Sequence, residues 1–329
     1  MRMWFRPVKG IAFCIVAAFF GSQAMAQVQV KRSFPSAKRI SAFDNTTFCT
    51  AFLSDGSLLT IRDIPIVDLR DVDKIAFNPT GSSLALMRGK KPVSIYSFRD
   101  RNKKLFELKE QRKSKELKGR KNLNFFVPGP VGAELMKDAS KGDIVPVAMC
   151  YGADARNFLV SNSLGEIIVY DTKAYLPQAY IQGKAVATAI TMSPNNYFIA
   201  AGTGKNIDIW NFQTKELRTS LPMPAEVTEL VFSADASQMA VVTADKRLTI
   251  FDTKTWDKVD IFDKIGGTLT SPSFHPDGKY ISVVKDGNAI VIMNLKNSVP
   301  EQTLDENPGG VTGSRFFVNK QTSDVFMLS

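Results

Sequence analysis

An internal repeat with a period of about 41 residues limits the folds that are open to this chain. Its first marker is a large apolar residue that directly precedes turn-forming residues. In the second half of the chain this marker recurs at intervals of 40 to 43 residues, at Tyr151, Met192, Phe232, Phe274 and Phe317. The second marker is a β-branched residue, a usually large apolar residue, and then Asp, Asn or Ser. It occurs at residues 169–171, 209–211, 250–252 and 292–294.

The same two markers recur upstream, at Phe77 with residues 95–97 and at Phe43 with residues 61–63. Between the markers lie short runs rich in Val, Ile, Phe and Thr, which are bounded by Gly, Asp or Pro and are typical of strands. The third position of the second marker suits a strand-ending turn, because Asx side chains bond to nearby backbone amides. Each unit therefore predicts about four short antiparallel strands.

A period of 40–45 residues with four strands per unit indicates a β-propeller, since such sheets bury both faces only by stacking on their neighbours. The seven occurrences of the first marker predict an all-β, seven-bladed ring of four-stranded antiparallel blades. A six-bladed ring is the alternative if the first unit belongs to the last. We expect a strand at residues 28–34 to pair with a strand at 324–328 and to close the ring, which removes an open sheet edge.

These units resemble WD repeats over most of residues 38–329. Residues 227–235 are similar to the first strand and turn of that family, and residues 248–252 are similar to its third strand with the closing Trp-Asp pair. The pattern is degenerate, because Trp210 alone occupies the tryptophan position and Asn211 follows it. The chain contains no Gly-His pair, so we expect the buried Asp-His-Ser/Thr-Trp network of the family to be missing.

Residues 1–26 are typical of a secretory signal peptide. Arg2, Arg6 and Lys9 precede an apolar run at residues 11–20, and residues 24–26 provide a small-x-small cleavage site. The apolar run is too short for a membrane-spanning helix, which needs about 18–20 apolar residues. We therefore expect cleavage before Gln27 and a mature propeller domain at residues 27–329. This domain is predicted to be periplasmic or secreted and not transmembrane.

The mature chain retains two cysteines, Cys49 and Cys150. Two cysteines in an exported protein favour a disulfide, which requires their Cα atoms to lie within about 7 Å. Both residues, however, lie in strand-like runs, where buried thiols act as small apolar side chains. The sequence leaves both alternatives open.

Phe77 and Tyr151 are 74 residues apart, which predicts a basic insertion at about residues 99–146. Residues 99–121 carry eleven basic and four acidic side chains, so their net charge of +7 equals that of the whole mature chain. We expect the insertion to bind an anionic surface, such as lipid head groups or an acidic protein. The alternative is a solvated loop. The residues predicted to bind the anionic partner are Arg112, Lys113, Lys115, Lys118, Arg120 and Lys121.

The chemistry of the chain argues against an enzyme. His275 is the single histidine; we expect it to be exposed in a turn and to have no catalytic role. No Gly-x-Ser-x-Gly motif occurs.

We predict a non-enzymatic protein-interaction scaffold of the cell envelope that needs no cofactor or metal and binds a protein partner. The alternative is a hydrolase or lactonase that uses acidic residues around the axial channel, with or without a metal. Nucleic acid is not expected, because aromatic residues do not alternate with the lysines.

Overall fold

The computed structural model describes residues 17–19, 49–52, 58–61, 72–80, 82–97, 104–108, 144–305, 311, 313–318 and 325–328. Every regular element within these ranges is a β-strand. The all-β prediction is therefore confirmed. Within the same ranges, no helix is long and apolar enough to cross a membrane.

Five sheets, numbered first to fifth along the chain, each contain four antiparallel strands in sequence order. The first contains Lys74–Phe77, Ser83–Met87, Val93–Ser97 and Lys104–Leu108. The second contains Pro146–Tyr151, Asn157–Asn162, Glu166–Asp171 and Pro177–Gln182. The third contains Ala189–Met192, Phe198–Gly202, Asn206–Asn211 and Leu217–Pro222. The fourth contains Val227–Phe232, Gln238–Thr243, Arg247–Asp252 and Lys258–Phe262. The fifth contains Leu269–Phe274, Tyr280–Lys285, Ala289–Asn294 and Val299–Leu304.

The five sheets form successive blades of a β-propeller. The first strand of each sheet lies beside the first strand of the next, which makes these the inner strands around an axis. Apolar side chains from neighbouring sheets share one buried cluster at each of the four junctions. Burying such a side chain contributes roughly 1.5–3 kcal/mol, so each blade depends on its neighbours. Four members that show this stacking are Phe158, Ile199, Met239 and Ile281.

Two smaller sheets lie near the ends of the chain. Cys49–Phe52 pairs with Leu58–Ile61 in a hairpin. Val325–Leu328 pairs with Arg315–Val318 on one side and with Ala17–Phe19 on the other. The predicted closing strand at residues 28–34 lies outside the described residues, and Ala17–Phe19 belongs to the predicted signal peptide. The seven-blade count and ring closure therefore stay predictions.

Asx side chains cap the turns between the third and fourth strands, as the second marker predicted. Asp171 Oδ1 accepts hydrogen bonds from the backbone N–H groups of Lys173 and Ala174, at 2.9 and 3.0 Å. Asn211 and Asp252 make the equivalent bonds in the third and fourth sheets. The backbone bond from Ala174 is the largest of the effects that lower the pKa of Asp171.

His275 is buried, with 6% of its surface exposed, so the prediction of an exposed turn histidine is wrong. It occupies the repeat position of Ser193 and Ser233, which are also buried beneath their turns. Its Nδ1 lies 2.6 Å from Asp277 Oδ1, and its ring packs edge-on against Phe316. Burial lowers the pKa of His275, and the Asp277 carboxylate opposes this shift. The buried His275 side chain therefore stabilises the turn at residues 275–279.

Trp210 lacks the hydrogen bond that a tryptophan makes at the corresponding position of the WD-repeat pattern it resembles. Its side chain is 2% exposed, and within the described part of the chain its indole N–H has no hydrogen-bond partner. The indole instead packs into the apolar cluster between the second and third sheets, with Ile190 and Ile199 among its members. Trp210 therefore stabilises the blade by packing.

Cys150 is a free thiol in the first strand of the second sheet. Burial raises its pKa to about 12, and a backbone hydrogen bond involving Met192 opposes this shift. Cys150 is partly buried and packs against the apolar cluster between the second and third sheets, so the alternative of a thiol acting as a small apolar side chain holds for it. The side chain of Cys49 lies outside the described residues.

Candidate functional site

Antiparallel pairing places the strand connections at two opposite ends of the propeller. One end, here called the turn end, carries the connections after the first and third strands: 78–82, 152–156, 172–176, 193–197, 212–216, 233–237, 253–257, 275–279 and 295–298. The other, here called the loop end, carries those after the second and fourth strands: 88–92, 163–165, 183–188, 203–205, 223–226, 244–246, 263–268 and 286–288. Connections on a rigid β scaffold often bind ligands, so both ends are candidate sites.

Lys74 lies beside the axis at the loop end. Its Nζ donates hydrogen bonds to the carbonyl oxygens of Val147 at 3.1 Å and Thr188 at 3.2 Å. These carbonyls lie where the inner strands of the second and third sheets begin, so Lys74 ties three blades together. Although the side chain is exposed, the surrounding strands desolvate the ammonium group and lower its pKa, and the charges of Glu229 and Asp73 oppose this shift.

The described residues do not supply the metal site that a metal-dependent form of the hydrolase alternative would use. Glu229 lies in the inner strand of the fourth sheet, and its Oε2 accepts a hydrogen bond from the Ser271 backbone N–H at 2.9 Å. Within the described ranges, no three His, Cys, Asp or Glu side chains come together in a way that could hold a metal ion. These residues therefore give the hydrolase interpretation no support.

The loop end of the first three sheets is basic. Lys90 and Lys91 lie in the first sheet, Lys184 follows the last strand of the second, and Lys205 lies between two strands of the third. All four lysines are exposed and are here called the basic sector. The acidic Asp73, at the same end of the first sheet, accepts a backbone hydrogen bond from Gly89.

The fourth and fifth sheets carry a balanced set of charges at the same end. Their basic side chains are Lys246, Arg247, Lys264 and Lys285, and their acidic ones are Glu226, Asp245, Asp263, Asp286 and Asp305. Arg247 Nε also lies 3.3 Å from Asp245 Oδ2. The positive charge of the described loop end is therefore concentrated on the side of the first three sheets.

The root of the predicted insertion lies on that same side. The first sheet ends with Lys104–Leu108, and the second begins with Pro146–Tyr151. The intervening chain therefore leaves and re-enters at the loop end. The predicted anion-binding residues lie between residues 109 and 143, outside the described residues: Arg112, Lys113, Lys115, Lys118, Arg120 and Lys121.

The turn end carries two of the three most exposed large apolar side chains of the described residues. Leu176, in the second sheet, is 61% exposed, and Tyr197, in the third, is 57% exposed. Phe198, directly after Tyr197, packs edge-on against Trp256 with ring centroids 5.1 Å apart. The Arg218 guanidinium lies over the Phe198 ring, 5.8 Å from its centroid. Tyr197 is thus presented by a well-packed turn.

Sequence reasoning missed both the basic sector and the exposed turn residues. Lys90 and Lys205 are 115 residues apart and share no repeat marker. Tyr197 occupies the column of Arg156 and Ser237, where polar residues are usual. A tyrosine in this otherwise polar column was the one signal in the sequence that pointed to an exposed residue of this kind.

Comparisons with known proteins agree with the WD-repeat resemblance. No family model matches the chain. Over 132 residues the chain is 29% identical to the periodic tryptophan protein 2 homolog of Dictyostelium discoideum. This alignment covers 33% of this chain and 14% of the relative. Over 145 residues it is 24% identical to the homolog of Schizosaccharomyces pombe, and this alignment covers 43% of this chain and 17% of the relative. The matches thus span less than a fifth of the length of these relatives.

Proposed function

We propose that this chain is an exported, non-enzymatic propeller of the cell envelope that holds a protein partner at its turn end. The observation that carries the proposal is the exposure of Tyr197 and Leu176 on two neighbouring blades of a rigid scaffold. The few residues that dominate the energetics of protein interfaces are enriched in Trp, Tyr and Arg. The similarity to WD-repeat relatives supports the same kind of function.

The packing beneath Tyr197 favours a preformed binding surface. Phe198 and Trp256 fix the start of the second strand of the third sheet, and Asn196 Nδ2 donates to Asp154 Oδ2 at 3.0 Å across the junction with the second sheet. A turn that is already ordered loses little conformational entropy when a partner binds. Tyr197 is therefore suited to act as an anchor.

The test is affinity capture from the native envelope fraction with the mature chain as bait. A Tyr197→Ser, Leu176→Ser variant is expected to lose a protein that the unmodified chain retains. The matched control is Val259→Ser, Ile261→Ser, since these residues are 57% and 48% exposed on the outer strand of the fourth sheet. Equal retention by both variants would contradict the turn-end proposal.

Export is the second part of the proposal, and it is supported by the charge and apolar pattern of residues 1–26. Mass spectrometry of native material should find an N-terminal peptide that begins at or near Gln27. An intact N-terminal segment containing Arg2 and Arg6 on a membrane-bound form would overturn it.

The third part assigns anion binding to the insertion, through Arg112, Lys113, Lys115, Lys118, Arg120 and Lys121. Changing all six residues to Gln should leave folding intact, because exposed loop changes usually cost under about 0.5 kcal/mol. The same change should remove most salt-sensitive binding to anionic lipid or acidic protein. Equal co-sedimentation of the variant and the unmodified chain would leave the solvated-loop alternative.

A further inference from the structure

We propose that the loop end is a membrane-docking face, in which the basic sector of Lys90, Lys91, Lys184 and Lys205 binds an anionic phospholipid surface. The inference rests on the proposed export to the cell envelope. It assigns the binding to folded residues of three blades rather than to the insertion alone. A protein partner at the turn end would then be held away from the bilayer.

The fold brings these lysines to one surface although they are far apart in sequence. Lys74 bonds to the carbonyls of Val147 and Thr188, so the starts of three inner strands lie together at the loop end. Lys184 belongs to the connection that leads to Thr188, and Lys205 lies in the next connection at the same end. The basic sector is therefore a rim around the Lys74 side of the axis.

The composition of this surface favours lipid over protein. The cores of protein interfaces are depleted in lysine and enriched in aromatic residues. Among the described residues, the large apolar side chains that are exposed all lie outside the loop-end connections: Leu105, Leu176, Tyr197, Val259, Ile261 and Val299. Lysines without apolar anchors suit attraction to a negatively charged bilayer, where each basic residue strengthens binding roughly fivefold.

The position of the insertion strengthens the same face. Its chain leaves after Lys104–Leu108 and returns at Pro146–Tyr151, between the lysines of the first sheet and Lys184. Because the charges of the fourth and fifth sheets are balanced, the attraction to an anionic surface is concentrated on the first three sheets. An anionic surface would therefore meet the first three blades before the others.

The experiment measures co-sedimentation of the mature chain with phosphatidylglycerol/phosphatidylcholine vesicles and with pure phosphatidylcholine vesicles, at low and high salt. The test variant changes the four lysines of the basic sector to Gln. The matched control changes four exposed lysines of the turn end, which removes the same charge: Lys173, Lys254, Lys279 and Lys296. A third variant neutralises the six basic residues of the insertion.

The unmodified chain should bind the anionic vesicles in a salt-sensitive way, because the Debye length falls to about 3 Å at 1 M salt. The basic-sector variant should bind at least tenfold more weakly, and the turn-end control should change less than threefold. Equal loss in both lysine variants, or loss in the insertion variant alone, would overturn the assignment.

Binding of the unmodified chain to polyglutamate but not to anionic vesicles would overturn the choice of lipid. The separate affinity capture at the turn end distinguishes the two proposals. A basic-sector variant that still captures the protein partner leaves the scaffold function standing, whatever happens at the vesicle surface.

Discussion

Gly202 provides a direct test of how tightly the third and fourth blades pack. It ends the second strand of the third sheet, beside the start of the inner strand of the fourth. A Cβ atom at Gly202 would lie 2.7 Å from Val227 Cγ1 and 2.9 Å from Val227 Cβ. Val227 is 1% exposed and its own N–H is bonded to Gly204 O at 2.9 Å, so it cannot move away easily. Overpacking of this kind costs about 1–3 kcal/mol.

Gly202→Ala is therefore expected to lower the free energy of unfolding by about 1–3 kcal/mol. In the Val227→Ala background, the closest of the clashing atoms is absent. The contact of 2.9 Å with the Cβ atom at position 227 remains, so the same glycine change should cost less but should still destabilise the fold. The double-mutant cycle should show a coupling of about 1 kcal/mol, as found for side chains in direct contact.

The assay is urea unfolding of the mature chain, with the single and double variants compared by midpoint at an unchanged dependence on denaturant. Gly204→Ala is the control for backbone strain, because Gly204 has φ of +66° and no atom within 4 Å of its added Cβ. Equal costs of Gly202→Ala in both backgrounds would refute the packing of these two blades.

Three further predictions follow from the turns, the thiol and the chain terminus. The lowered pKa of Asp252, caused first by the Thr255 backbone bond, gives stability that is present above the ordinary carboxyl pKa and lost as pH falls through the lowered one. As the pH is lowered from about 5 to about 2, the unfolding midpoint should therefore fall less in Asp252→Asn than in the unmodified chain. An equal fall of the midpoint in both proteins would contradict this prediction. The Cys150 thiol, with its pKa near 12, should react with a thiol reagent at pH 7 only after unfolding, and rapid native labelling would contradict its burial. Deleting residues 324–329 removes Val325–Leu328, the middle strand of its sheet, and should lower the thermal unfolding midpoint, whereas an unchanged midpoint would mean that this sheet does not contribute to stability.

The strand pattern could be predicted from the sequence because each marker has a local physical cause. The large apolar residue ends an inner strand, and the Asx side chain caps a turn by accepting hydrogen bonds from the backbone N–H groups two and three residues later. The fifth sheet illustrates the result, since the chain between its two markers, at Phe274 and at residues 292–294, forms the strand Tyr280–Lys285. Local chemistry of this kind does not depend on distant parts of the chain.

The candidate sites could not be predicted in the same way, because they depend on which columns face solvent after stacking. His275 resembles an exposed turn residue in its Phe-His-Pro-Asp-Gly context, yet its ring is enclosed by neighbouring residues such as Phe316. Tyr197 lies in an equivalent turn and is exposed. The four lysines of the basic sector become neighbours only when three blades share one axis.

Photo-crosslinking in living cells can locate the partner on the surface of the protein. A benzophenone amino acid in place of Tyr197 should give one discrete protein adduct. The same group in place of Lys246, which is exposed at the loop end of the fourth sheet, should give much less of it. Adducts of equal strength from both positions, or none from position 197 in correctly exported protein, would contradict a scaffold that binds its partner through the turn end.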